Sequence, residues 1–234
     1  MRIYEKNLNF FEKKFPDLRK TLEAVPGRKC KTEKAKNGSL TLVYSHNDTT
    51  YYLHSKFNPR AESAKIIANK NTDASHIVVL GLGLGYHLEK ILETKNRLSR
   101  VLLIEPDWEI IKHSLETLDW EKLSKRNDFD YAFGTDFNDI TGKVHSFINI
   151  ITFDTLEFIE LPSETRILGP FFAKAREVVE NEIKTNLYDF RTRLAESYML
   201  PRNVLKNLQW ILKTRPVARL KNCFTGTPGF IVSA

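Results

Sequence analysis

The sequence predicts an α/β protein with a Rossmann-like parallel sheet at its centre. The run His76-Ile77-Val78-Val79-Leu80 is short, apolar and rich in β-branched residues, and three alternating glycines separate it from apolar positions at helical spacing. A second apolar run, 101–104, ends at Glu105 and precedes Pro106-Asp107, which begins another helical pattern. Strand, tight turn and helix in this order are typical of the opening of a parallel α/β sheet.

Length and composition limit the class of protein. The 234 residues, 41% of them hydrophobic, can form either one large domain or a domain with a smaller appendage. No apolar run reaches membrane-spanning length and no secretory signal is recognisable, so we expect no membrane span and a cytoplasmic location. Two cysteines and no histidine cluster predict neither a disulfide framework nor a metal site. Residues 76–160 hold nine basic and fifteen acidic side chains, which disfavours nucleic acid as a partner of the core.

An N-terminal subdomain is predicted over residues 1–75. Apolar residues at helical spacing in 3–24 indicate a helical arm, with Pro16 separating two pieces. The β-prone runs 29–32, 39–44 and 50–54 are separated by turn residues and predict a small antiparallel β meander. Asn58-Pro59, with Glu62 in the following turn, predicts a helix start.

The Rossmann-like domain is predicted over residues 76–165. It includes a third strand, Phe129–Phe133, a helix at 138–144 and a fourth strand, Phe147–Thr152. Residues 166–225 are predicted as a C-terminal helical connector, with one helix to about Leu200, an interruption at Pro201 and a second helix to Lys213. Residues 226–234 are predicted as the first strand of a truncated following domain.

The glycine loop is the predicted ligand site. Glycines allow positive φ and close approach of a ligand, and N–H groups at a helix start favour phosphate or carboxylate. Glu105, twenty residues after Gly85, can accept hydrogen bonds from ribose hydroxyls, and Asp136 follows the third strand at its carboxyl end. The predicted ligand-binding residues are Gly81, Gly83, Gly85, Tyr86, Glu105 and Asp136, and Ser55 and Glu62 are predicted at the cleft rim. The competing interpretation is that the glycines only permit close packing and that Glu105 only caps the next helix.

Four segments carry a family resemblance. They are His54–Glu62, Gly81–His87, Ile104–Asp107 and Gly226–Ala234. Over about residues 50–234 the chain resembles the N-terminal portion of Maf-type motility accessory factors, bacterial flagellin glycosyltransferases whose central domain is similar to the archaeal pyrophosphokinase MptE. The resemblance implies transfer of a nonulosonic acid from a CMP-activated donor to Ser or Thr of flagellin. In that family a Gly-Pro-Ser-Leu motif opens the presumed catalytic domain just after the segment matching 226–234. We therefore expect this chain to be inactive alone and assign it no catalytic residue.

The residues themselves also allow a second function. The Gly81–Gly85 loop, Glu105 and Asp136 occupy positions that an S-adenosylmethionine-dependent methyltransferase uses for the methionine moiety, ribose and adenine. Against this, Thr152-Phe153-Asp154-Thr155 lacks the Asn/Asp-Pro-Pro-aromatic motif of amino-methylating enzymes. The cofactor is therefore undetermined: a CMP-activated sugar for the longer transferase, or S-adenosylmethionine.

Overall fold

The N-terminal part of the protein consists of two helices and a three-stranded antiparallel sheet. The computed structural model describes residues 3–12, 17–27, 29–126, 128–148 and 153–213. The elements are α1 (Ile3–Glu12), α2 (Leu18–Ala24), β1 (Cys30–Lys34), β2 (Leu40–His46) and β3 (Thr49–Tyr52), and the strands are ordered β1-β2-β3. Asn47 and Asp48 take positive φ in the two-residue β2–β3 turn, as a hairpin of this length requires. The helical arm and the meander are confirmed, while Pro16 lies outside the described residues.

Helix α3 (Pro59–Ala68) connects the meander to the central sheet. The side chain of Asn58 accepts a hydrogen bond from the Ala61 N–H, Pro59 occupies the first helical turn, and Glu62 lies in that turn. These are the start signals that the sequence predicts. The helix therefore begins where the chain has its N-cap residue.

Four parallel strands form the central sheet. The chain continues through β4 (His76–Leu80), α4 (Tyr86–Thr94), β5 (Arg100–Glu105), α5 (Trp108–Ser114), α6 (Trp120–Ser124), β6 (Phe129–Phe133), α7 (Phe137–Phe147) and β7 (Leu156–Glu160). Their spatial order is β6-β5-β4-β7, and Val78 of β4 pairs with Leu102 of β5 and Phe158 of β7. All residues of β4 are buried, as expected for a strand covered on both faces. The predicted mixed α/β fold class is confirmed.

Two apolar clusters pack against opposite faces of this sheet. Because side chains alternate along a strand, Ile77 and Val79 belong to a cluster shared with α1, α2, α4 and the meander. Val78 and Leu80 belong to a second cluster shared with α7 and the helix that begins at Gly169. Phe11 of α1 contacts the ring of Trp120 at 5.3 Å between centroids. The arm and meander therefore cover one face of the parallel sheet.

The predicted fourth strand, Phe147–Thr152, is wrong at its start. Phe147 is the last residue of α7 and is buried, because with Ile140 and Val144 it forms one apolar stripe at helical spacing. Residues 149–152 lie outside the described residues. The strand that pairs with β4 is β7 (Leu156–Glu160), whose residues come after the predicted end.

A long helix follows the sheet. Helix α8 (Pro162–Ile167) has no counterpart among the predicted elements. It leads into α9 (Gly169–Lys213), which contains Pro201. The predicted interruption at Pro201 is therefore wrong. A proline removes one i→i−4 hydrogen bond, which can bend a helix without ending it when both flanking turns are helical.

The chain divides into two units, Met1–Asn186 and Leu187–Ala234. In the first unit, α9 buries Phe172, Ala175 and Val179 against the sheet. In the second, its described side chains are exposed, and the predicted strand 226–234 lies outside the described residues. The four-part domain division stays a prediction. Within the ranges given above, no helix combines the length and apolar composition that crossing a membrane requires.

Candidate functional site

The glycine loop, residues 81–85, joins β4 to α4 at the carboxyl edge of the parallel sheet. Gly81, Gly83 and Gly85 have φ of 86°, 49° and 80°, a region that favours glycine. Each also lies against a side chain of the protein. A Cβ at Gly83 would be 2.4 Å from His54 Nε2, and one at Gly85 would be 2.4 Å from Leu118 Cδ1. The glycines are therefore required by packing as well as by backbone conformation.

The backbone N–H groups of this loop point to three side chains of the chain itself. Leu82 N–H donates to Glu105 Oε2 at 2.8 Å, and Gly83 N–H donates to Glu164 Oε2 at 3.0 Å. Leu84 N–H donates to His54 Nε2 at 2.7 Å. In a nucleotide-binding loop such groups meet the ligand phosphate. Here the carboxylates and the imidazole hold the positions that an anionic ligand would occupy.

Glu105 and Glu164 form a buried carboxyl pair beneath the loop. Glu105 also accepts from the Asp107 N–H at 2.8 Å, so each of its oxygens has a backbone donor. Burial, the neighbouring charge of Glu164 and a hydrogen bond between the two carboxyl groups raise the pKa of Glu105 well above its ordinary value. Burial also raises the pKa of Glu164, to about 7. The pKa values of both carboxyl groups are raised, because burial penalises the charged form of each and two adjacent buried carboxylates repel each other.

Two buried histidines complete the interior of the site. His54 accepts from Leu84 N–H through Nε2, which places its proton on Nδ1, and that atom lies 4.0 Å from Glu62 Oε2. Burial and the neighbouring His87 lower the pKa of His54 to about 3. Burial lowers the pKa of His87 to about 4, and its Nε2 lies 2.9 Å from the Gly81 carbonyl oxygen. Both imidazoles are therefore neutral at physiological pH and act as hydrogen-bonding supports of the loop.

The predicted site residues do not all come together. Glu105 contacts the loop, whereas Tyr86 directs its hydroxyl to the Leu40 carbonyl at 2.9 Å. Asp136 is exposed and accepts from Asn138 N–H at 2.9 Å, so it is the N-cap of α7. Ser55 N–H donates to Glu62 Oε2 at 2.7 Å, and both residues line a shallow depression at the start of α3. The ligand-binding role of these residues stays a prediction.

Sequence reasoning missed His54 and Glu164 as parts of the loop structure. Glu164 follows β7, and the misplacement of that strand removed the signal that would have put it at the carboxyl edge. His54 ends the meander, and nothing in its local pattern indicates a partner thirty residues away. Within the described ranges, no group of three or more histidine, cysteine or acidic side chains could hold a metal ion.

Comparison with known proteins shows which family this region resembles. Residues 29–132 match the family described as the glycosyltransferase Maf N-terminal domain. An uncharacterized protein of Treponema pallidum (strain Nichols) is 23% identical over 240 residues, which cover 99% of this chain and 80% of that protein.

Two solved structures are similar. The MAf glycosyltransferase from Magnetospirillum magneticum AMB-1 matches with a TM-score of 0.50 and 18% identity, over 76% of this chain and 36% of that one. This chain therefore spans about a third of that structure, and the likeness bears on the fold alone. P. horikoshii TYW2 in complex with MeSAdo matches 40% of this chain and 36% of its own at 19% identity and a TM-score of 0.26, which does not establish a shared fold.

Proposed function

We propose that this chain is the non-catalytic part of a protein glycosyltransferase, because residues 29–132 match the N-terminal domain family of the glycosyltransferase Maf. The complete enzyme transfers a nonulosonic, sialic-acid-like sugar from a CMP donor to Ser or Thr of flagellin in the cytoplasm of a motile bacterium. The donor and the chemistry belong to an MptE-like central domain, and this chain supports that domain and recognises the acceptor. Nucleic acid has no role in this proposal.

The closed glycine loop is the observation that carries the non-catalytic role. Its three N–H groups at Leu82, Gly83 and Leu84 already have internal acceptors, and residues 81–88 are buried. A donor phosphate at this position would have to displace Glu164 and His54. An enzyme that transfers sugar from a nucleotide needs an open site for the phosphate, and the loop does not provide one.

Exposed apolar side chains support the idea that this chain works with another domain or protein. Along the second unit, Tyr188, Tyr198 and Trp210 are 73%, 83% and 62% exposed. Aromatic side chains of this size bury large areas when they find a partner. We propose that this part of α9 contacts the central domain.

A transfer assay tests the proposal. Purified flagellin and a CMP-activated nonulosonic acid are incubated with the 234-residue chain or with a longer protein that adds the MptE-like domain, and the intact mass of flagellin is measured. We expect a sugar mass increase only with the longer protein, together with calorimetric binding of flagellin to the 234-residue chain. Transfer by the short chain, or no binding of flagellin to it, would contradict the proposed role.

Binding of S-adenosylmethionine tests the competing function. If the glycine loop opens for this cofactor, calorimetry should detect binding that Glu105→Gln abolishes and Asp136→Asn weakens, because these are its predicted ribose and adenine contacts. We expect no binding that depends on Glu105. A cofactor affinity that falls in the Glu105→Gln variant would favour the methyltransferase assignment instead.

A further inference from the structure

A concave pocket lies at the carboxyl end of β5 and β6, beside the closed glycine loop. Residues 106–109, which follow β5, and Thr135, which follows β6, line it together with residues of the meander and the start of α9. Its volume of about 420 Å³ lies in the range of small-molecule sites. Ligands of open α/β sheets bind outside the carboxyl ends of the strands. This pocket therefore lies at the edge of the sheet where such ligands bind, one strand away from the predicted site at the glycine loop.

Aromatic side chains form much of the pocket wall. Tyr44 and His46 line it from β2, with their rings stacked at 6.3 Å between centroids, and Trp108 and Phe171 line it from α5 and α9. Trp108 is held in place by an edge contact with Phe133 at 6.2 Å. Tyr44 is 1% exposed and supports His46 from behind, whereas His46, Trp108 and Phe171 are partly exposed and offer ring faces on which another flat ring can stack. The wall therefore suits a planar, aromatic ligand.

One carboxylate gives this wall a polar anchor. The Asp107 side chain is only 11% exposed; Oδ1 accepts from Glu109 N–H at 2.9 Å, and Oδ2 accepts from the Tyr44 hydroxyl at 2.6 Å and from Lys29 Nζ at 3.4 Å. A carboxylate has about four lone-pair positions, so one acceptor position is left beside these three donors. Burial and the hydrogen bond to Asp107 raise the pKa of Tyr44, which keeps its hydroxyl protonated as a donor. Asp107 can therefore accept one further N–H from a ligand.

We infer that this pocket binds the base of a nucleoside or nucleotide, with its ring on the aromatic wall and its amino group donating to Asp107. A hydrocarbon ring would cover the carboxylate without giving it a donor, which is unfavourable. Lys29, whose side chain is about half exposed, lies at the mouth of the pocket and suits a ribose or phosphate extending outward. This inference is independent of the transferase assignment, because the pocket neither includes the glycine loop nor requires flagellin.

Calorimetric titration of the 234-residue chain with adenosine, cytidine and purine riboside tests the inference. Purine riboside has the ring of adenosine but no amino group. We expect adenosine or cytidine to bind at millimolar concentration or below, and purine riboside to bind at least about tenfold more weakly than adenosine, because a hydrogen bond to a charged group is lost. This ligand comparison needs no altered protein, so it stays decisive if a variant fails to fold.

Variants then locate the site. Asp107→Asn keeps a helix-capping acceptor for Glu109 N–H but loses the carboxylate, and Trp108→Leu removes the stacking face. Each should weaken binding about tenfold or more. Asp139→Asn, an equal charge change at an exposed position of α7 outside the pocket lining, should leave binding unchanged. The inference fails if neither adenosine nor cytidine binds, if purine riboside binds as tightly as adenosine, or if either pocket variant keeps the original affinity.

Discussion

The buried carboxyl of Glu164 should make the stability of this protein fall as the pH rises. Its pKa in the folded protein is about 7, against an ordinary value of 4.5 that applies to the unfolded chain. Between these two values the folded state holds a proton that the unfolded state releases, so the free energy of unfolding decreases with increasing pH. The contribution of the neutral carboxyl is fully present below pH 4.5 and is lost through pH 7. At 1.36 kcal/mol per pKa unit, the loss amounts to about 3 kcal/mol.

Glu164→Gln isolates this effect. The amide keeps an acceptor for Gly83 N–H and has nearly the same size, but it cannot ionise. The variant should therefore gain stability relative to the original protein as pH rises from 5 to 8, by about 2–3 kcal/mol, because part of the full loss lies below pH 5. Glu105 increases this pH-dependent difference, because the charge of Glu164 raises the pKa of Glu105 in the original protein and is absent in the variant.

Urea unfolding at pH 5, 6, 7 and 8 measures the difference. The lowered pKa values of His54 and His87 reduce stability below about pH 6.5 in both proteins, because the unfolded state then binds protons that the folded state does not. That contribution cancels in the comparison. Glu180→Gln, at an exposed position of α9, is the matched control and should show no pH-dependent difference. A Glu164→Gln difference that is constant from pH 5 to 8, or that shrinks with pH, would refute this account of the pair.

Three further substitutions test the packing around the site. Gly83→Ala combines positive φ with a Cβ 2.4 Å from His54 Nε2, so it should lower the free energy of unfolding by about 3 kcal/mol and the melting temperature by about 6–12 °C. The control Gly38→Ala, with positive φ but nothing within 4 Å of the new Cβ, should lower it by about 1 kcal/mol. Equal losses would contradict the close approach of His54 to Gly83. Asn7→Ala removes a buried amide that donates to two carbonyls and accepts from one N–H. Urea unfolding should show that the free energy of unfolding falls by about 3 kcal/mol. A fall below about 1 kcal/mol would be inconsistent with these hydrogen bonds. Lys95→Met removes a buried ammonium group that pairs with Asp128 at 2.6 Å and donates to the Asn96 and Ser99 carbonyls. Asp128 keeps its pair with Arg126 at 3.0 Å, so the loss comes mainly from the two hydrogen bonds to carbonyls and should be about 2 kcal/mol, even in high salt. Recovery of stability with added salt would argue against a buried pair.

Local patterns were sufficient to predict most of the elements. The β-branched run of β4, the apolar run of β5 and the predicted bounds of β6 all appear in the structure, and Asn58-Pro59 begins α3. These elements were predictable because the spacing of apolar residues and the helix-capping residues act over only a few neighbouring positions. The resemblance to Maf N-terminal regions is also confirmed.

The errors arose where tertiary contacts outweighed local pattern. Phe147 is β-prone by composition, yet its burial on the sheet face with Ile140 and Val144 makes it the end of a helix. With β7 placed too early, Glu164 was not expected at the sheet edge. Pro201 was expected to end a helix that continues past it.

The sequence by itself determined strands β4, β5 and β6, the helix start at Asn58-Pro59 and the position of the glycine turn, because each depends on neighbouring residues. Only the tertiary structure decided which side chains accept hydrogen bonds from the N–H groups of that turn. His54 and Glu164 reach it from positions 30 and 81 residues away from their hydrogen-bond donors, Leu84 and Gly83. No periodicity encodes such contacts, since they arise when the meander and the segment after β7 close over the same sheet edge. The sequence therefore has the pattern of a ligand-binding loop, but in the folded protein side chains of the chain itself accept the hydrogen bonds of that loop.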